Sequence, residues 1–169
     1  MPARRVSTLI IAVALIAFAA CSESGNGKHA ANTSTPASRS TIPGPAMPVA
    51  RSEVAGAFWD GKIAVAGGFT SPDQAVDRLD LFDVASGTWS VGPSLPHQYD
   101  HSSLAELGGR LYVVGGYTGA LSNPTNEVWS LGPDEPTWTH EPDLASRRGA
   151  LATGSASGKL VAVGGVNDC

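Results

Sequence analysis

A glycine pair recurs along this chain at a nearly constant spacing, and each pair closes the same eight-residue pattern. The pattern is a glycine, a basic residue, a short apolar run and the two glycines, at residues 61–68, 109–116 and 158–165. The pairs are Gly67-Gly68, Gly115-Gly116 and Gly164-Gly165, so successive copies are 48 and then 49 residues apart. A repeat of this length predicts a series of stacked β-units.

Residues outside the pattern keep the same phase. Trp89 and Trp138 lie 49 residues apart, and the segments 77–83 and 126–132 align at the same offset. The residue sixteen positions before each glycine pair is, in turn, Arg51, Tyr99 and Arg148. The repeat is therefore a whole structural unit, with one residue inserted in its second copy.

The order of these features, a glycine pair, a strand and a closing tryptophan, resembles the Kelch repeat over roughly residues 47–166. The resemblance implies an all-β fold of Kelch-type β-propeller blades, each a four-stranded sheet. Two blades would be complete, at about 47–92 and 93–141, and a third would be partial, at 142–169. The sequence departs from the repeat in its third strand, where Phe82 replaces the usual tyrosine in the first unit and Ser130 or Leu131 replaces it in the second.

Propellers close with about four to eight blades. Two complete units and a partial third predict an incomplete propeller, and we interpret the chain as a fragment of a longer protein. Assembly of several chains into one ring is the alternative.

The first unit shows how each blade is expected to be built. Its four predicted strands are about Ser52–Phe58, Ile63–Gly67, Asp77–Phe82 and Thr88–Val91. The second strand of each unit is apolar at nearly every position, which predicts burial on both faces between neighbouring blades. The glycine pairs are interpreted as structural, because a residue without Cβ lets another backbone approach closely. Trp89 and Trp138 are expected to pack between blades.

The first 46 residues are expected to lie outside the folded domain. Residues 1–21 combine Arg4-Arg5 with an apolar run and end in Phe18-Ala19-Ala20-Cys21, which resembles the lipobox of bacterial lipoproteins. We expect Cys21 to be lipidated, with an ordinary secretory signal as the alternative. Residues 22–46 are rich in Ser, Thr, Gly and Pro and predict a disordered tether. The expected location is thus the extracytoplasmic face of a bacterial membrane, with a lipid anchor.

Charge separates the two parts and excludes one class of partner. Residues 1–46 carry four basic and one acidic residue, whereas residues 47–169 carry seven basic and fourteen acidic residues. An acidic domain without a basic stripe argues against nucleic acid as a ligand. Membrane contact is expected through the lipid alone.

The expected binding surface is set by strand connectivity. In an antiparallel four-stranded blade, the loop between the second and third strands lies on the same face as the segment leading into the next blade. This rule brings the loops Phe69–Ala75 and Tyr117–Pro124 beside those segments. The Kelch resemblance implies that a ligand docks on this face, and the predicted ligand-binding residues are Arg51, Tyr99, Arg148, Phe69 and Tyr117. An anionic or hydrogen-bonding ligand is expected.

Residues for catalysis or metal binding are few. His97 and His101 are four residues apart, but four strand residues span about 13 Å, which is too far for one zinc ion. No metal site, cofactor or catalytic group is assigned, and carboxylates such as Asp80 and Asp83 are expected on the solvent face.

Two function classes remain open. The first is a surface-displayed module that binds a protein or a glycan. The alternative is a carbohydrate-active enzyme resembling Kelch-fold sialic acid mutarotases, or a galactose oxidase-like oxidase. The oxidase needs a cross-linked cysteine, and the only cysteine outside the leader is the terminal Cys169.

Overall fold

The structure, a computed structural model, describes residues 43–119 and 123–167. These residues form strands, turns and loops, and contain no helix. The first repeat contributes β1 (Ala55–Trp59), β2 (Lys62–Ala66), β3 (Phe69–Ser71), β4 (Gln74–Ala75), β5 (Leu79–Asp83) and β6 (Thr88–Val91). The second contributes β7 (Tyr99–Asp100), β8 (Ser103–Leu107), β9 (Arg110–Val114), β10 (Tyr117–Thr118), β11 (Val128–Leu131) and β12 (Thr139–Glu141). The third contributes β13 (Gly149–Ala156) and β14 (Lys159–Val166).

These strands assemble into two blades and a hairpin. Blade 1 is the antiparallel sheet β1-β2-β5-β6, blade 2 is the antiparallel sheet β8-β9-β11-β12, and β13 pairs with β14. The prediction of an all-β, incomplete Kelch-type propeller, with two four-stranded units and a partial third, is confirmed. The two short pairs, β3 with β4 and β7 with β10, lie outside the blades, at one end of them.

Each repeat makes its first hairpin with the same tight turn. Both central residues of the turn have positive φ, as type I′ turns require, and glycine occupies the second position in every copy. The turn residues are Asp60-Gly61, Gly108-Gly109 and Ser157-Gly158.

The first strand of blade 1 begins at Ala55 rather than at the predicted Ser52. Glu53 has a φ of 52°, which breaks the extended backbone between an isolated bridge at Ser52 and the start of β1. His101 and Ala150, its equivalents in the next repeats, also have positive φ. The break is therefore a property of the repeat.

Packing between blades decides which second strand is buried on both faces. In β9, Leu111 and Val114 are both fully buried, and they face opposite sides of the sheet. In β2, Ala64 is fully buried but Ile63 is 41% exposed. The first strand of blade 2 contacts both β1 and β13, so blade 2 lies between two neighbours. Within the described residues, blade 1 contacts a neighbouring blade on one side, so the prediction of two buried faces holds for β9 and is wrong for β2.

Tryptophans tie the blades to their connecting segments. The indole Nε1 of Trp138 donates to the carbonyl of Pro93 across 3.3 Å, and Trp89 makes the equivalent bond to Pro45 across 3.2 Å. Trp59 donates to the carbonyl of Gly109 in blade 2 across 2.9 Å. Trp59 is 3% exposed, and this bond links the first hairpins of the two blades directly.

Candidate functional site

One end of the blades gathers the loops that follow the glycine pairs and the segments that lead into each blade. We call it the loop face, and its residues are 50–53, 69–76, 97–101, 117–119, 123–127 and 146–150. Phe69 forms a bridge with Ser52, while Tyr99 bridges Val76 and pairs with Thr118. The loops and segments that were predicted to be neighbours are therefore in contact.

The glycine pairs lie where these segments cross. Gly68 and Gly116 donate their N–H groups to the carbonyls of Tyr99 and Arg148, across 2.8 and 2.9 Å. A Cβ added to Gly115 would lie 2.5 Å from the same carbonyl oxygen of Arg148, and one added to Gly67 would overlap that of Tyr99. Both positions also have positive φ. The backbone approach that forms the loop face thus requires glycine at these positions.

In blade 1, a buried carboxylate at the loop face is held by two guanidinium groups. Arg51 Nη1 lies 2.7 Å from Asp80 Oδ2, and neither side chain is exposed to solvent. Arg78 Nη2 lies 2.7 Å from Asp80 Oδ1. Burial alone would raise the pKa of Asp80, but the hydrogen bonds and charges of Arg78 and Arg51 outweigh it and lower that pKa. The expectation that Asp80 lies on the solvent face is wrong, because these two arginines let it be buried as an ion.

In blade 2, a carboxylate at the same end is held by neutral donors. Tyr99 donates its hydroxyl to Glu127 Oε2 across 2.6 Å, and Trp129 Nε1 donates to the same oxygen across 3.1 Å. His97 Nε2 lies 3.5 Å from it. Burial would raise the pKa of Glu127, but the hydrogen bonds from Tyr99 and Trp129, with smaller contributions from the charges of His97 and His140, outweigh it, so the net shift is downward. Burial, followed by the bond to Glu127, raises the pKa of the Tyr99 hydroxyl.

These two arrangements occupy the same repeat positions. Tyr99 is equivalent to Arg51, Glu127 to Arg78, and Trp129 to Asp80, at offsets of 48, 49 and 49 residues. The carboxylate has moved from the third position to the second, and both arginines have been replaced. As a result, the negative charge of Asp80 is balanced by two arginines and shielded from solvent. The Glu127 side chain is 30% exposed, and no arginine balances its charge within the described residues.

Glu127 lines a polar pocket of about 300 Å³ on the loop face. The other polar side chains in its wall are His97, Thr118, Asn123, Thr125, Asn126 and Arg147. Asn123 donates to the Thr118 hydroxyl across 2.9 Å, and Asn126 donates to Asp143 across 3.1 Å, so both amides are oriented. Arg147 is exposed and has no hydrogen bond or ion pair within the described residues. The wall therefore combines a fixed carboxylate, oriented amides and one unpaired cation.

The predicted ligand-binding residues lie in or beside this face, and most are buried. Tyr99, Tyr117 and Phe69 are 1%, 2% and 8% exposed, and the side chain of Arg51 is fully enclosed. Arg148 is half-buried and donates to the carbonyl of Gly164 across 2.7 Å. Direct ligand contact by these five residues stays a prediction.

His101 joins the two blades at this face. Its Nδ1 lies 2.9 Å from Asp100 Oδ1 and its Nε2 lies 3.2 Å from Glu53 Oε2. Its ring stands edge-on to Phe69 and Tyr117, at centroid distances of 6.3 and 5.9 Å. In the parts of the chain that the structure describes, no three His, Cys, Asp or Glu side chains are placed to hold a metal ion.

Sequence reasoning missed Glu127, Trp129 and Arg147 as residues of the site. The available signal was a difference between repeats, because Glu127 stands where the first repeat has Arg78. A change of charge at a fixed position of a structural repeat indicates a role that the fold itself does not require.

The leader, Cys21 and residues 22–42 of the predicted tether lie outside the described residues. No helix long and apolar enough to cross a membrane occurs between residues 43 and 119 or between 123 and 167.

Comparison with known proteins identifies one family. The sequence model of the Kelch motif matches residues 50–96 and 100–145. The chain is 31% identical over 114 residues to a Kelch repeat and BTB domain-containing protein of cowpox virus, covering 66% of this chain and 20% of that protein. It is 32% identical over 78 residues to a Kelch domain-containing protein of Saccharolobus solfataricus, covering 46% and 10%. It is 26% identical over 113 residues to alpha-scruin of Limulus polyphemus, covering 64% and 12%. The chain thus spans a fifth or less of the length of these relatives.

Proposed function

Because this chain belongs to the Kelch-repeat family, we propose that it is a protein-interaction module whose loop face binds a partner protein outside the cell. One observation carries this proposal. The loop face contains a polar pocket of about 300 Å³ in which Glu127 is ionised and held in one orientation. In protein interfaces, charged and polar groups fixed in position give specificity for the partner.

The location in this proposal rests on the leader sequence alone. Phe18-Ala19-Ala20-Cys21 supports export and lipidation at Cys21, and residues 22–46 would hold the domain away from the membrane. Cys21→Ser is expected to move the full-length protein from the detergent phase to the aqueous phase in detergent phase separation. Unchanged partitioning would reject the anchor and leave the interaction proposal standing.

The interaction itself can be tested by comparing the two ends of the blades. Asp73 lies in the loop Phe69–Ala75 on the loop face, and Asp134 lies in the turn between β11 and β12 at the opposite end. Both aspartates are exposed, so Asp73→Lys and Asp134→Lys make the same change of charge without disturbing the core. The partner would be identified by chemical cross-linking of the full-length protein on intact cells.

We expect Asp73→Lys to weaken binding of the purified partner by about tenfold. A lysine at this position repels the positively charged groups of the partner that an aspartate attracts. Asp134→Lys should leave the affinity unchanged. Equal effects of the two substitutions would place the binding surface elsewhere. Binding that is abolished by deglycosylation of the partner would identify a glycan as the ligand.

A further inference from the structure

We propose that the pocket beside Glu127 accepts a cationic side chain, an arginine or a lysine of the partner protein. This inference rests on the proposed function and specifies the chemistry of its site. Three observations carry it: the neutral donors around Glu127, the contrast with blade 1, and the charge of the domain.

The first observation is how Glu127 is held. Both groups that donate to its Oε2, the Tyr99 hydroxyl and the Trp129 indole N–H, are uncharged. No described residue donates a hydrogen bond to its Oε1. Neutral donors fix the orientation of a carboxylate and keep it ionised without cancelling its charge. His97 Nε2 lies 3.5 Å from Oε2, too far for a strong hydrogen bond. Within the described residues Glu127 has no guanidinium or ammonium partner, so its charge is left for such a group to enter from outside.

The second observation is the corresponding site in blade 1. There, the carboxylate of Asp80 has two guanidinium partners and no solvent exposure. The repeat can thus satisfy a carboxylate internally, by placing arginines at positions 51 and 78. In blade 2 those positions hold Tyr99 and Glu127, and the carboxylate faces a pocket instead. A guanidinium or ammonium group from a partner would supply the cation that blade 1 provides from its own chain.

The third observation is electrostatic. Residues 47–169 carry seven basic and fourteen acidic residues, and a net negative domain attracts a basic partner over long distances. Arg147 opposes this attraction locally, because its cation lines the same pocket. Replacing Arg147 by a neutral residue should therefore strengthen binding of a cation and weaken binding of an anion. The direction of the change in affinity thus distinguishes a cationic ligand from an anionic one.

The test uses the full-length chain and three small probes that differ in charge. N-acetyl-arginine amide is the cation, N-acetyl-citrulline amide is its neutral isostere, and N-acetyl-glutamate amide is the anion. Binding would be followed by nuclear magnetic resonance through the indole N–H signal of Trp129, which lies against the site. We expect the arginine probe to bind at least about tenfold more tightly than the citrulline probe, since only the cation pairs with Glu127.

Two substitutions at the pocket and one control complete the test. Glu127→Gln preserves shape and hydrogen bonding but removes the charge, so it should reduce arginine binding to the level of citrulline. Arg147→Gln should increase arginine binding about threefold, because it removes a nearby like charge. Glu135→Gln removes a carboxylate that pairs with Arg110 at the opposite end of blade 2, and should have no effect.

The proposal is overturned if arginine and citrulline bind equally, or if the glutamate probe binds and requires Arg147. It is also overturned if Glu127→Gln leaves partner binding unchanged while Asp73→Lys weakens it, and the proposed function then survives. If arginine binds through Glu127 and cross-linking finds no protein partner, the cation site stands and the interaction proposal fails.

Discussion

Arg51 donates a hydrogen bond to Asp80 across 2.7 Å, and both side chains are fully withdrawn from solvent. The two residues are 29 positions apart, so this ion pair joins the segment before β1 to the third strand of the same blade. A buried ion pair contributes little net stability over an apolar pair, but the loss of one partner leaves an uncompensated buried charge. Arg51 is therefore a structural residue of blade 1.

Substitution of Arg51 should destabilise the domain. We expect Arg51→Met to lower the free energy of unfolding by about 2–3 kcal/mol, because Asp80 keeps only its contact with Arg78. The measurement is urea-induced unfolding at neutral pH. In an Asp80→Asn background the same substitution should cost less than half as much, since no buried charge remains to be compensated.

Arg148 provides the matched control, because it occupies the same repeat position. Its guanidinium bonds a backbone carbonyl and the Ser146 hydroxyl and has no carboxylate partner within the described residues. Arg148→Met should therefore change stability by about 0.5 kcal/mol or less. Equal losses for Arg51 and Arg148 would contradict the assigned role of the ion pair.

The hydroxyl of Tyr99 contributes to stability through one hydrogen bond, to Glu127. Tyr99→Phe keeps the buried ring and removes the donor to Glu127, and we expect a loss of about 1 kcal/mol, because the carboxylate is partly exposed and solvent replaces part of the bond. Tyr112→Phe on β9 is the control, since within the described residues its hydroxyl makes no hydrogen bond. The difference between the two variants in chemical denaturation measures the bond, and a difference of zero would refute it.

Two glycines, one in the turn between β5 and β6 and one in a glycine pair, separate two causes of strain. Gly87 and Gly115 both have positive φ, of 70° and 54°, but a Cβ on Gly87 would meet nothing within 4 Å. Gly87→Ala should cost about 1 kcal/mol from backbone conformation alone. Gly115→Ala adds a contact of 2.5 Å with the carbonyl oxygen of Arg148, and should cost about 1–3 kcal/mol more. Thermal unfolding of the two variants measures both losses of stability. Similar losses would show that the close contact between residue 115 and the carbonyl of Arg148 does not affect the free energy of unfolding.

The repeat made the fold predictable, whereas the site depended on contacts distant in sequence. The glycine pairs and the turn residues are local features, and their regular recurrence along the chain predicted two four-stranded blades correctly. Asp80 lies between Leu79 and Leu81 and looked like an outward-facing strand residue. It is buried because Arg51, far away in the sequence, supplies a cation, and no local pattern specifies that partner.

The pocket was unpredictable for a related reason. Its wall joins His97 before blade 2, Glu127 immediately before β11 and Arg147 before β13. The three residues meet only when the segments before two successive blades cross the same loop. Connectivity predicted which loops and segments lie side by side, but only coordinates show which of their side chains are exposed and which form internal hydrogen bonds.

Acid should weaken the domain partly through Glu135. The hydrogen bond from Arg110 and then that from the Gly132 N–H lower the pKa of Glu135 from 4.5 to about 2. Since the folded-state pKa is below the unfolded one, the stabilisation is fully present above about pH 4.5 and is lost as the pH falls towards 2. Glu135→Gln should therefore lower the melting temperature at pH 7, and the gap between variant and wild type should close as the pH approaches 2. Because the pair is partly exposed, 0.5 M salt should narrow the gap at pH 7 as well. A gap that stays constant from pH 7 to pH 2.5 would show that the effect comes from packing and not from the charge of Glu135.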